Sequence, residues 1–87
     1  VSDDRLLDAT NLAAKAQQLL NDETLIMAYE GIEANLVSAW IASEPRDQDG
    51  REMCWRMIHA NRKHRDALQM FVSNGKLAQA ELDRLKT

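Results

Sequence analysis

Little in this chain favours a sheet, a disulfide or a membrane span. Its 87 residues include three glycines, one proline and one cysteine, and only 5% are aromatic. The usual strand residues Val, Ile and Thr number 3, 4 and 3, against 12 Ala and 11 Leu, a balance that disfavours sheets and suits helices. Cys54 has no second cysteine to pair with, so an internal disulfide is excluded and a reducing compartment is expected. No apolar run approaches the roughly 18 residues of a transmembrane helix. No basic start leads into an apolar core, so no secretory signal is expected. What is present, 45% apolar and 29% charged residues, describes one small soluble helical domain over residues 1–87, with no room for a separate catalytic domain.

The formal net charge of −3 argues against a dedicated nucleic-acid binder, but the charge is unevenly spread. Residues 1–44 hold two basic and eight acidic side chains, and residues 45–87 hold nine basic and six acidic. Halves of −6 and +3 can complement each other within one molecule, as a helical hairpin, or between copies arranged head to tail.

Breaker residues divide the chain into four expected helices, at about 3–20, 22–43, 48–73 and 76–86. Ser2 is the expected cap of the first, with Asp3 and Asp4 on its positive end. Asn21 is the expected cap of the second. That helix has a main apolar stripe of Leu25, Ala28, Tyr29, Ile32, Leu36, Ala39 and Trp40. A second strip lies nearly opposite, with Ile26, Ala34, Val37 and Ile41 beside Glu30 and Glu33. Pro45 sets the loop, and Asp47 or Asp49 caps the third helix. Asn74-Gly75 reads as a stop, since both residues tolerate left-handed backbone angles. The expected architecture is all-α: a small bundle built on a long antiparallel hairpin of the second and third helices, with an N-terminal helix and a short C-terminal one. Tyr29, Ile32, Leu36 and Trp40 would pack against Met57, Leu68 and Phe71.

Projected at 100° per residue, the third helix places Met53, Cys54, Met57, Ala60, Asn61, His64, Leu68, Phe71 and Val72 on one face. Asn61 and His64 form a polar centre there, a candidate buried pair that fixes register. The opposite arc carries a candidate basic patch: Arg56, His59, Arg62 and Lys63, with Arg65 at its boundary. Trp55 falls among these cations. Either the first helix covers it, the arginines pairing with Asp3, Asp4 or Asp8, or it belongs to an exposed Trp–Arg contact surface. On the second alternative the candidate partner interface is Ile26, Val37, Ile41, Trp55, Ile58 and Arg62.

No reaction centre emerges. Cys54, His59 and His64 are spaced by five, about 140° apart around a helix, and cannot converge on one metal ion. Cys54 has no base within reach: His59 lies on another face and His64 is about 15 Å along the axis. Gly31, Gly50 and Gly75 are isolated and make no phosphate loop. No catalytic residue, metal or cofactor is expected. Binding of nucleic acid through the basic patch is a lesser alternative.

The order LLNDETL, IEANLVSAW, a short polar loop into GREMCWRM, then FVSNGKLAQAEL resembles a family of small helical proteins encoded by tailed phages and prophages of Gram-negative bacteria. Their genes often lie near head and packaging genes. The resemblance is one of layout and covers about Leu19 to Leu82. It implies a phage accessory protein in the bacterial host cytoplasm or on the virion, and it carries over no catalytic residue. The expected function is a helical protein–protein interaction module in virion assembly, whose partner is itself or another phage or host protein. The alternatives are an effector that binds a host protein and a nucleic-acid-binding accessory.

Overall fold

The computed structural model describes residues 3–86, so the expected Ser2 cap lies outside the described residues. It is all-helical, with three helices: α1 (Asp3–Leu20), α2 (Glu23–Ala42) and α3 (Gln48–Lys86). The fourth expected helix does not exist as a separate element. α3 runs for 39 residues straight through Asn74-Gly75, and no described residue has a positive φ.

The junctions explain the helix ends. The Asn21 side chain does not cap α2; its Oδ1 accepts a bond from Gln17 Nε2 in the last turn of α1 (3.3 Å). Helix α2 therefore begins at Glu23, with Asp22 before it. At the far end the Ser43 hydroxyl donates to the Trp40 carbonyl (2.6 Å). Arg51 reaches back to the same carbonyl (3.4 Å) and to Ser43 Oγ (3.1 Å), meeting acceptors that the helix end leaves open. Asp47 is the cap of α3, its Oδ1 accepting from the Gly50 amide at 3.0 Å. A side chain at Gly50 would collide with that carboxylate.

Contacts divide the expected single domain into two compact units. One joins the residues up to Asp22 with those from Asp66 on, and there α3 packs against α1. The least exposed positions of α1 are Leu6, Ala9, Thr10, Ala13, Ala16 and Leu20; those of α3 in this unit are Leu68, Val72, Gly75, Ala78, Glu81 and Leu82. Ala16, at 2% exposure, lies deepest. A Cβ at Gly75 would overlap the Ala13 methyl and lie 3.2 Å from the Ala9 carbonyl oxygen. Here glycine is a point of close helix approach instead of a stop. Helix-interior Gly and Asn cost roughly 1 kcal/mol or less each against alanine, and continuing the helix keeps Val72 and Ala78 buried on either side.

The other unit holds Glu23 to Arg65, that is, α2 and the first half of α3. It buries no apolar side chain fully; its one buried residue is Asn61, at 9% exposure. Leu25, Ile26, Tyr29, Glu33, Leu36 and Val37 of α2 and Cys54, Ile58 and Arg65 of α3 are half-buried. This corrects the expected core: Ile32 and Met57 are exposed, while Leu68 and Phe71 belong to the first unit. It also corrects the expected buried pair, since His64 is exposed. The physical reason lies in the spacing of the packed positions. Cys54, Ile58, Asn61, Arg65, Leu68, Val72 and Gly75 alternate steps of four and three, a 3.5-residue period rather than 3.6. At 100° per residue the packed positions of this unit centre about 70° from the expected face, more than the period alone accounts for, and this offset carries Arg65 inward and His64 out.

Candidate interaction surface

One groove of the second unit gathers residues that the sequence had distributed over different roles. α2 contributes Val37 and Trp40, and α3 contributes Trp55, Ile58, His59 and Arg62, around a volume of about 210 Å³. Four of the six candidate interface residues, Val37, Trp55, Ile58 and Arg62, thus meet in one place. Ile41 is fully open on α2, and Ile26 is half-buried away from the groove lining. Trp40, assigned by its spacing to the core, and His59, assigned to the basic patch, belong to the groove. The i, i+3 spacing of Val37 and Trp40 was the available sign that these two share a face.

Trp55 is 57% exposed and Trp40 39%, so of the two alternatives left open for Trp55 the structure has the open aromatic surface. Their rings are held in place from one side each. The Trp55 and His59 rings stack obliquely, centroids 4.0 Å apart at 49°. The Arg51 guanidinium sits 5.0 Å from the Trp40 ring centroid, an arrangement worth roughly 0.5–1 kcal/mol where exposed.

The basic patch does not stand as a free cationic stripe. Arg62 Nε meets Glu33 Oε1 at 2.6 Å and Arg56 meets Glu52 at 2.9 Å. Arg65 turns inward, its guanidinium 5.5 Å from the Tyr29 ring centroid. Lys63 and His59 remain exposed. Beneath them Asn61 Nδ2 donates to the Tyr29 carbonyl at 3.0 Å, joining α3 to α2. Glu33, placed by its spacing beside the second apolar strip of α2, is half-buried and takes part in this joint.

The Glu33 carboxyl is held below its usual 4.5, first by the hydrogen bond from Arg62, then by the Arg62 and Arg65 charges, which together outweigh partial desolvation. A carboxyl depressed in the folded state contributes stability above its unfolded value and loses it as pH falls through the lowered one. An Arg62→Ala variant should therefore move the Glu33 midpoint up toward 4.5 in an NMR titration of side-chain carboxyls. An unmoved midpoint would mean that the pair does not form in solution.

Among the described residues no three His, Cys, Asp or Glu side chains are placed to hold a metal ion, and no helix is long and apolar enough to cross a membrane. Comparison with protein-family models, with curated proteins and with solved structures gives no match for this chain.

Proposed function

We propose that this chain is a non-enzymatic helical interaction module, a small structural or assembly component of a phage particle that self-associates or docks on a larger assembly. The observation that carries this reading is the open groove lined by both Trp40 and Trp55. Tryptophan buries about 150–250 Å² when covered. Covering the exposed part of Trp55 alone is worth about 3 kcal/mol at 25 cal/mol per Å². Exposed tryptophan beside arginine is the composition of contact hot spots. The second unit also lacks any fully buried apolar side chain, so a partner surface would supply the core it does not have.

Pairs between α2 and α3 support an antiparallel hairpin as the scaffold. Arg51, near the start of α3, reaches Trp40 near the end of α2, while Asn61 and Arg62 farther along α3 reach Tyr29 and Glu33 farther back in α2. The phage assignment is supported by the resemblance in layout. Carboxylates on Arg56 and Arg62 speak against phosphate as the natural partner of this face.

Mass spectrometry of purified particles of the encoding phage should find the chain in many copies per particle. Its absence from particles would favour the effector reading, with a host protein in the groove.

A further inference from the structure

The fold uses only part of the apolar faces that the residues set out. On α3 the packed positions of the second unit centre about 70° from the expected apolar face, and on α2 they centre about 60° from the main stripe. The remainder of each face stands open. On α2 it is Ala28, Ile32 and Ala39, all exposed, Ile32 at 48%. On α3 it is Met53, Met57, Ala60 and His64, also exposed, the two methionines at 60% and 48%. In an antiparallel pair both offsets leave the same side uncovered, the side away from the groove. The two sides differ in kind. The groove has Arg62 in its wall, paired with Glu33, while none of the uncovered residues opposite is charged and only His64 is polar.

We infer that this uncharged side of the helix pair is the contact face of a two-fold dimer, covered by the same side of a second copy. This rests on the reading of the chain as an interaction module and names a surface and its partner. The 20 residues of α2 span about 30 Å, and two helices side by side are about 20 Å wide. Each copy then offers about 600 Å², and a dimer buries about 1,200 Å², the lower bound of stable, specific interfaces. A single helix laid on the face would cover about half of it, so the occupant has the width of a helix pair. Covering the face leaves no charge buried and unpaired if the facing surface is equally uncharged, and a second copy brings such a surface at the same length and width. Residues 23–65 hold six basic and seven acidic side chains, close to neutral, so two copies repel one another weakly. Two helix pairs packed face to face form a four-helix bundle, with the core that one pair cannot enclose. The same patch serves both copies, so assembly closes at two and leaves the groove of each open on the outside.

The test is sedimentation velocity on the full chain and three variants, with helicity checked by circular dichroism. Ile32→Glu and Met57→Glu each place a charge on the proposed contact, at positions exposed in the single chain. Trp55→Glu places one in the groove. The parent should reach twice its 9.9 kDa, with a dissociation constant of about 10 μM. That constant should change by less than about threefold between roughly 0.05 and 0.5 M salt, because no charge takes part. Ile32→Glu and Met57→Glu should each weaken the dimer about 30-fold or more, and Trp55→Glu should leave it unchanged.

A parent that stays monomeric at about 0.1 mM overturns the inference, while docking on another protein still answers to the particle measurement. Helical Ile32→Glu and Met57→Glu variants that associate like the parent overturn it too. If Trp55→Glu alone then loses association, the groove is the self-contact and the wider reading stands. A dimer lost in both face variants, from a chain absent from phage particles, would uphold the inference and remove the particle reading.

Discussion

Replacing Gly75 by leucine should undock α1 from α3, at a cost of about 3 kcal/mol or more. The reason is local and steric. Even a single Cβ at this position overlaps the Ala13 methyl and lies 3.2 Å from the Ala9 carbonyl oxygen and 3.5 Å from Ala13 Cα. These atoms belong to the α1 backbone or are fixed to it, so no rotamer change relieves the overlap. Gly75→Ala sets two effects against each other. Removing a helix-interior glycine gains about 1 kcal/mol, and overpacking costs roughly 1–3 kcal/mol, for a net loss of about 1 kcal/mol. Adding Ala13→Gly to Gly75→Ala should restore most of that loss, since it vacates the space the new methyl needs. Thermal unfolding of the two single variants and the double variant measures the coupling. A Gly75→Ala protein that melts above the parent would show that the helices do not approach as closely as described.

Asn61→Ala should cost about 2 kcal/mol. Roughly 1 kcal/mol is the hydrogen bond to the Tyr29 carbonyl, and a similar amount reflects the space left by a buried side chain. Asn61→Leu should behave differently. It fills the space with apolar volume and leaves stability nearly unchanged, but it removes the hydrogen bond from the buried Asn61 that helps distinguish this register of α3 on α2 from its neighbours. Urea unfolding reads the first effect. Amide hydrogen exchange reads the second, as faster exchange in α2 at unchanged global stability. An Asn61→Ala protein within about 0.5 kcal/mol of the parent would mean that water replaces the amide and that the bond does not set register.

Much of this was legible in the residues. The extents of α1 and α2 followed from the polar turn at Asn21-Asp22 and from Pro45, and the start of α3 from Asp47. Trp55 among cations was recognisable as a residue with two possible fates, and Asn61 as a polar residue on a packed face. Two features escaped for physical reasons. A helical wheel at 100° per residue drifts about 20° per heptad from a 3.5-residue seam. That drift accounts for part of the exchange of Arg65 for His64 on α3; Glu33 of α2 is brought to the joint by its pair with Arg62, a contact that a wheel of α2 alone does not show. Asn74-Gly75 carries a stop signal that local propensity cannot distinguish from a contact glycine. The deciding partner, Ala13, is some sixty residues away in the chain.

The unbroken winding of α3 has a chemical consequence at the same dipeptide. Asparagine followed by glycine is the pair most prone to cyclise, when the glycine nitrogen attacks the side-chain amide, expels ammonia and forms a succinimide. Within a helix that nitrogen is turned toward the carbonyl four residues earlier and is held out of line for attack. Asn74 is thereby protected for as long as the helix stays wound, and the aspartate and isoaspartate left when water opens the succinimide keep a cumulative record of how often this stretch opens.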